Sequence, residues 1–367
     1  MTTTPSIEME QFTFSGTAEA MGYAHGETLR DRIQALVNVR FAAAEKYFRE
    51  ENAQVSIDAL RATGRACWTL LEVWDPEGFI EHNAIASGAN MDPADLYTAT
   101  NYTDIRDALM LSGNCPDAEG CSAIMIPAGK TAEKGVLAAQ TWDLNPEDID
   151  YVVAIQNKPI KGPVRWNIQI VGSVSLMGMN SCGISVGTTN LKTWDSGIGL
   201  GYLSLIHRAL RSNTPEEALH FIEKAPKSGS HSYWITNRNK GTRYEVTGFH
   251  YDKQLLDHQP MGWTNHCLTP EHQAMEYSTP SDSSLTRLTR LEQIFRQQNT
   301  QGADFSVESL KKVLANREDG TESINRYPED NSYAATNACM IADNRNKQLH
   351  ACRGPANRGK WYTLSFD

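Results

Sequence analysis

The chain has 367 residues, enough for one large domain or two ordinary ones, and its 40% hydrophobic and 21% charged residues suit a globular protein with a sizeable core. Its 34 Lys and Arg against 44 Asp and Glu give a formal net charge of −10, which argues against nucleic-acid binding through a basic surface. Seven cysteines, an odd count with no C-x-x-C pair, argue against a disulfide scaffold and a structural zinc site.

The first ten residues lack a basic region followed by an apolar one, and no apolar run approaches a membrane span, so the expected location is the cytoplasm. Ala18 to Glu50 carries apolar residues at helical spacing, with Ile33, Leu36, Val37, Phe41 and Ala44 on one side. Ser56 can cap a second helix through Leu71, and Asp92-Pro93 starts a third running toward Leu109. Gly113 to Asp117 reads as a turn-rich linker. From Cys121 the pattern changes to short strands: Ser122–Ile126, Val136–Gln140, Val152–Gln156, Val164–Ile170 and Ile184–Thr189. Helices are expected at Leu200–Arg211 and, after Thr214-Pro215, at Glu216–Lys224, then strands at Ser232–Thr236 and Arg243–Val246. Helices at Leu285–Arg296 and Val307–Ala315 precede closing strands at Ala334–Ile341, Gln348–Cys352 and Trp361–Phe366. This order suggests mixed sheets packed on each other with helices outside, an α+β fold.

Gly120-Cys121-Ser122 is the most informative stretch. A thiol at the head of a strand, behind the least hindered residue, is what a chain needs to cut itself there. The cut would free the amine of Cys121, whose pKa of about 7.7–8.0 suits a base at neutral pH. One residue would then carry both nucleophile and base. On spacing alone Cys121 fits a buried strand cysteine better than a nucleophile. Gly197 to Gly201 lacks the G-x-G-x-x-G spacing of a dinucleotide loop, and the ten histidines form no ligand-like cluster. Tyr251 with Trp263, and Tyr233 with Trp234, read as core or pocket wall.

Several segments resemble the penicillin acyltransferase-type cysteine peptidases, a branch of the N-terminal nucleophile hydrolases. Gly120-Cys121-Ser122 is similar to their Gly-Cys-Thr/Ser cleavage site, and Gln140-Thr141-Trp142-Asp143 to their Gln-Asn-Trp-Asp segment. Gly178-Met179-Asn180-Ser181-Cys182-Gly183-Ile184 resembles their Gly-x-Asn-x-x-Gly-Leu turn. Trp263-Thr264-Asn265-His266 and Ser323-Ile324-Asn325-Arg326 resemble Thr-Asn-His and Ser-Ile-Cys-Arg segments, with Asn325 in place of the family's cysteine. Gly22-Tyr23-Ala24-His25-Gly26 resembles the Gly-x-x-x-Gly opening of the first helix.

The resemblance implies a four-layer αββα sandwich, cut between Gly120 and Cys121. Residues 1–120 would form a helical segment that stays bound to residues 121–367. It implies that Asp143 orients the new amine or a nearby cation. Asn190 and Asn265 would lend N–H groups to an oxyanion. Arg326 would sit by the thiol or pair with Asp143, and Ser122 would support the new amine. No cofactor and no metal are implied. The expected reaction is hydrolysis of a linear amide of a small N-acyl amine through a Cys121 acyl-enzyme; the acidic balance is compatible with a cationic substrate. Transfer of an acyl group, for example from acyl-CoA, to an amine is the alternative. Two rival readings remain: an uncut thiol hydrolase using His266 or His207, and a non-catalytic binding protein on the same fold. A homo-oligomer is compatible with the sequence, which points to no interface.

Overall fold

Strands buried along their whole length need a cover on each face, and the fold supplies one. The computed structural model describes residues 6–50, 55–109, 120–330 and 334–366; the linker expected at Gly113–Asp117 lies outside them. The chain opens with β1 (Gln11–Gly16), then α1 (Ala18–Thr28), α2 (Arg30–Glu50), α3 (Ile57–Trp74), α4 (Pro76–Gly88), α5 (Pro93–Thr100) and α6 (Tyr102–Leu109). Ser56 caps α3 by accepting from Ala59 N, and Asp92 caps α5 by accepting from Ala94 N and Asp95 N. The single helix expected from Ala18 to Glu50 breaks at Leu29, which leaves helical angles at φ −112°, ψ 19°. The helix expected to reach Leu109 breaks at Asn101, whose side chain instead accepts from Leu203 N at 3.3 Å.

Beyond Cys121 come β2 (Ser122–Ile126), β3 (Leu137–Leu144), β4 (Val152–Pro159), β5 (Arg165–Ile170), β6 (Met177–Asn180) and β7 (Ser185–Leu191). The chain continues through α7 (Tyr202–Leu210), α8 (Pro215–Lys224), β8 (Ser230–Thr236), β9 (Gly241–Val246), β10 (Tyr251–Leu255), β11 (Met261–Trp263) and the short α9 (Pro270–Gln273). It ends with α10 (Asp282–Gln301), α11 (Val307–Leu314), β12 (Ala335–Asp343), β13 (Gln348–Arg353) and β14 (Tyr362–Leu364).

One sheet has the order β1-β4-β5-β6-β7-β8-β9-β10, the other β11-β2-β3-β12-β13-β14. Only the β1–β4 pairing is parallel among these described strands. The sheets meet through β2 and β3 against β7, and β12 and β13 against β6. β2 shows why its side chains are apolar on both faces. Ala123 and Met125 join the core between the sheets, while Ile124 and Ile126 join a second cluster with Leu291 of α10 and Leu310 and Leu314 of α11. Helices α1, α7 and α8 pack on the larger sheet, and α10 and α11 on the smaller. The expected αββα sandwich is the observed architecture.

The segment ahead of Cys121 is woven into the rest. β1 runs in register along β4, from Gln11 opposite Ala154 to Gly16 opposite Pro159. Buried charges cross the same boundary: Arg40 bonds Asp148 at 2.9 and 3.1 Å, Glu81 meets Arg165 at 3.4 Å and His207 at 3.2 Å, and Asp75 pairs with Arg211. The hairpin from β6 to β7 turns at Gly183, φ +82°, a conformation that favours glycine. Asn180 fixes it by accepting from Cys182 N and Ile184 N and donating to the Leu210 and Ser212 carbonyls at the end of α7. Tyr233 and Trp234 are core as expected, but Tyr251 is half exposed on the edge strand β10, its ring tilted against that of Tyr244.

Gly22 and Gly26 let α1 touch α4. A Cβ on Gly26 would lie 2.0 Å from the Ile85 carbonyl oxygen, and one on Gly22 2.3 Å from that of Glu81. Backbone cannot yield as a side-chain tip can, so Gly26→Ala is expected to cost about 1–3 kcal/mol of stability. Urea unfolding checks this; an unchanged midpoint would show that the two helices have room to spare.

Candidate active site

Cys121 lies one residue ahead of β2, 5% exposed, with Sγ 3.9 Å from the carbonyl oxygen of Asp143 on the neighbouring strand. Gly120 N donates to that same oxygen at 3.4 Å. A Cβ built on Gly120 would lie 2.5 Å from Nη1 of Arg326 and 2.9 Å from Oδ2 of Asp143. Close approach to two charged side chains favours glycine here.

Asp143 is not a solvated turn acid: it is fully buried in β3. Its cross-strand partner is Thr336, and the register of β12 shifts between Thr336 and Ala338, a bulge at Asn337. Bulges re-aim side chains, and this one anchors the preceding loop. Thr336 Oγ1 accepts from Arg326 N at 2.9 Å, and Thr336 N donates to Arg326 O at 3.1 Å. The Arg326 side chain is thereby held beside Asp143, only 5% exposed. The Thr336 and Thr141 hydroxyls favour the charged form of Asp143, while among the described residues neither Nε nor Nη1 of Arg326 has a hydrogen-bond partner. Burial pushes the Asp143 carboxyl up to about 6, against the opposing pull of Arg326 and Arg287.

Arg287 was not singled out from the sequence. It is fully buried on α10, and its Nη1 donates to the carbonyl oxygen of Cys121 and, at 3.1 Å, to Ser122 Oγ. Nη2 donates to Asn265 Oδ1 at 3.1 Å, and Nε to Ser283 Oγ at 3.2 Å. The available signal was its place on the helix: Ser284, Arg287 and Leu291 follow helical spacing on the buried side, where an arginine needs partners. Ser122 Oγ accepts from this arginine, and its N–H donates to Thr141 Oγ1 at 3.0 Å.

Asn265 follows β11 in a loop gripped by Ser284. Asn265 N donates to Ser284 Oγ at 2.9 Å, and Thr264 Oγ1 donates to Ser284 O at 2.9 Å. His266 Nδ1 lies 2.8 Å from the same hydroxyl, a loop-holding contact. Asn265 Nδ2 donates to the Asn190 carbonyl at 3.1 Å, and Asn190 Nδ2 donates to Asp107 Oδ2 at 3.1 Å. Asn265 is therefore linked to the Cys121 carbonyl through Arg287, and Asn190 one bond further through Asn265, with these amide N–H bonds directed at protein acceptors. His207 sits apart, between Glu81 Oε2 and Ser175 Oγ at 3.2 Å each. A cavity of about 410 Å³ opens between α2, α6 and the turn after β3, lined by Val39, Ala43, Tyr47, Tyr102, Arg106 and Asn145.

Two sheets stacked between helices, with a cysteine heading an inner strand, define an α+β protein of αββα architecture. The family model for acyl-coenzyme A:6-aminopenicillanic acid acyl-transferase matches residues 130–357, and the chain belongs to that family. The match begins beyond Cys121 and spans Asp143, Asn190, Asn265, Arg287 and Arg326. Among solved structures, the chain is similar to a mutant of conjugated bile acid hydrolase from Clostridium perfringens, at 10% identity and a TM-score of 0.45, over 67% of this chain and 97% of that one. It is also similar to penicillin V acylase from Agrobacterium tumefaciens, at 12% identity and a TM-score of 0.34, over 67% and 86% of the two chains.

The Asp143 environment makes a pH prediction. An unfolded aspartate has a pKa of about 3.9. Between that value and about 6 the unfolded chain releases the proton while the folded chain keeps it, so stability falls as pH rises through this window. Asparagine does not titrate. In a chain kept whole by Cys121→Ala, the Tm of Asp143→Asn relative to its parent should therefore rise from pH 4 to pH 7. The gain corresponds to roughly 2–3 kcal/mol. A pH-independent difference in calorimetry would contradict the assignment.

Proposed function

We propose that the chain is a self-cleaving cysteine amidohydrolase with Cys121 as nucleophile. The observation that carries this is the pair of buried charges, Asp143 and Arg326, pressed against Gly120 at the head of the strand that follows Cys121. In the first step the thiol attacks the Gly120 carbonyl carbon, the amide nitrogen of Cys121 leaves with a proton, and a thioester forms. Water opens the thioester, regenerating the thiol and leaving Gly120 with a carboxylate. Asp143 is then placed to hold the new ammonium of Cys121, a cationic partner for a buried carboxyl beside the cut.

In turnover the free amine of Cys121 takes the thiol proton, and sulfur attacks the carbonyl of an N-acyl amine. Asn265 and Asn190 donate to the tetrahedral oxyanion, and Arg326 steadies negative charge beside the sulfur. Arg287 holds the Cys121 carbonyl and the Asn265 amide in one frame. The leaving amine takes a proton from the Cys121 ammonium, and water releases the acid. Ser122 has a supporting role through Arg287. The substrate is a small linear amide, with a cationic amine favoured by the net charge of −10. Among the described residues no helix is long and apolar enough to cross a membrane, and a cytoplasmic location fits the reading. The family's description as an acyltransferase favours a second reading, in which an amine rather than water accepts the acyl group.

Intact mass under denaturing conditions tests the first step: two pieces ending at Gly120 and starting at Cys121 are expected, and one piece from Cys121→Ala. Gel filtration should keep the two pieces together until denaturant is added. Turnover is tested with β-alanyl, phenylacetyl and octanoyl p-nitroanilides, and with octanoyl-CoA plus an amine acceptor. Release of p-nitroaniline that disappears in Cys121→Ala supports the hydrolase. Reaction only with octanoyl-CoA and acceptor moves the assignment to the transferase, and a Cys121→Ala chain that retains activity overturns both.

A further inference from the structure

Helix α6 lies wholly ahead of the proposed cut, yet it reaches the site. Six of its eight residues are buried, among them Asp104, Arg106 and Asp107. Asp107 Oδ1 accepts from Arg106 Nε and Nη2 at 2.9 and 2.7 Å, and Asp107 Oδ2 accepts from Asn190 Nδ2 at 3.1 Å. The Arg106 guanidinium lies 5.2 Å from the Tyr47 ring and 5.5 Å from the Tyr102 ring, which fixes its plane. One turn earlier, Asp104 accepts from Tyr202 N at 2.8 Å and pairs with His231 Nε2 at 2.7 Å. His231 is the cross-strand partner of Asn190. The helix thus grips adjacent positions on β7 and β8.

We infer that Asp107 is a positioning residue that sets the orientation of the Asn190 amide, so that the segment ahead of the cut governs turnover at Cys121. This rests on the amidohydrolase reading above. An ionised carboxylate only accepts hydrogen bonds, so the Asn190 edge that meets it is the NH2 group. The amide plane is thereby fixed, and with it the direction of the second N–H on Nδ2. From Asn190 the bonded chain continues through its carbonyl to Asn265 Nδ2, from Asn265 Oδ1 to Arg287 Nη2, and from Arg287 Nη1 to the Cys121 carbonyl. A change at Asp107 is therefore transmitted to the reacting residue by contacts rather than by distance.

Asp107→Asn separates this role from packing. Its amide oxygen satisfies Arg106, which turns its NH2 toward Asn190; two donors then face each other and Asn190 flips. With the fastest anilide of the panel above, kcat is expected to fall about 10²-fold, the scale of a lost oxyanion donor. KM should stay within about threefold, because transition-state rather than ground-state contacts are lost. Asn190→Ala, which leaves the Arg106–Asp107 pair intact, should lose the same factor, and Asp107→Asn/Asn190→Ala should be no worse than either single change. Should Asp107→Asn fail to fold, Asn190→Ala and Asp107→Glu are compared instead: the glutamate keeps the acceptor and should retain more kcat than the alanine variant. Losses that multiply in the double variant, an unchanged kcat, or a change in KM alone overturns the proposal. A wild-type chain inert toward the whole panel overturns the hydrolase reading and this inference with it, whereas active wild type with an unaffected Asp107→Asn overturns this inference alone.

Discussion

The site is organised around one constraint: Asp143 and Arg326 are buried together behind a single glycine. A carboxylate out of water is costly, and the neighbouring arginines and the Thr336 and Thr141 hydroxyls offset only part of that cost. The surroundings are built to hold it there. The β12 bulge locks the Arg326 backbone to Thr336, and β3 fixes Asp143 beside the head of β2. Gly120 fills the remaining space because a methyl group would collide with both side chains. Stability given up at this point fits a site that gains a cationic partner when the Gly120–Cys121 bond is opened.

Around that centre the fold divides labour by layer. The inner strands β2 and β3 present Cys121 and Asp143, buried on both faces and unable to drift. The helices beyond the smaller sheet send in Arg287, which ties the Cys121 carbonyl to the Asn265 loop. The helices ahead of Cys121 reach Asn190 from the other side through Asp107. No single element holds the site. Its rigidity comes from contacts among segments far apart in sequence, Asp107 with Asn190 and Arg287 with Cys121.

Much of this was legible in the sequence, for identifiable reasons. Gly120-Cys121-Ser122 before an apolar run marks a strand headed by a thiol, and Asp143, Asn265 and Arg326 stand in segments whose order carries the family resemblance. Strands such as Ser122–Ile126 and helix starts such as Ser56 and Asp92 follow from burial and capping. Arg287 and Asp107 were not legible, because a charge on a helix reads as a solvated face until the partner that buries it is known. Helix α4 lacks an apolar stripe, as Glu81 and His82 are buried beside its alanines. β1 is a short alternating strand whose partner, β4, lies far along the chain. Asn190 and Asn265 could be named from their segments, but only the fold shows that Asn190 turns an N–H toward Asp107.

The placement of Arg326 has a consequence for the timing of synthesis. Gly120 and Cys121 emerge from the ribosome well before the groups that crowd them, which come from residues 143, 287 and 326, and Thr336 must be in place to hold the last. A nascent chain therefore carries its scission point through some two hundred further residues of elongation without the surroundings that would act on it. Under the proposed cut, severing waits until β12 has left the tunnel, and the broken bond becomes a certificate that the strands and helices around it have been made.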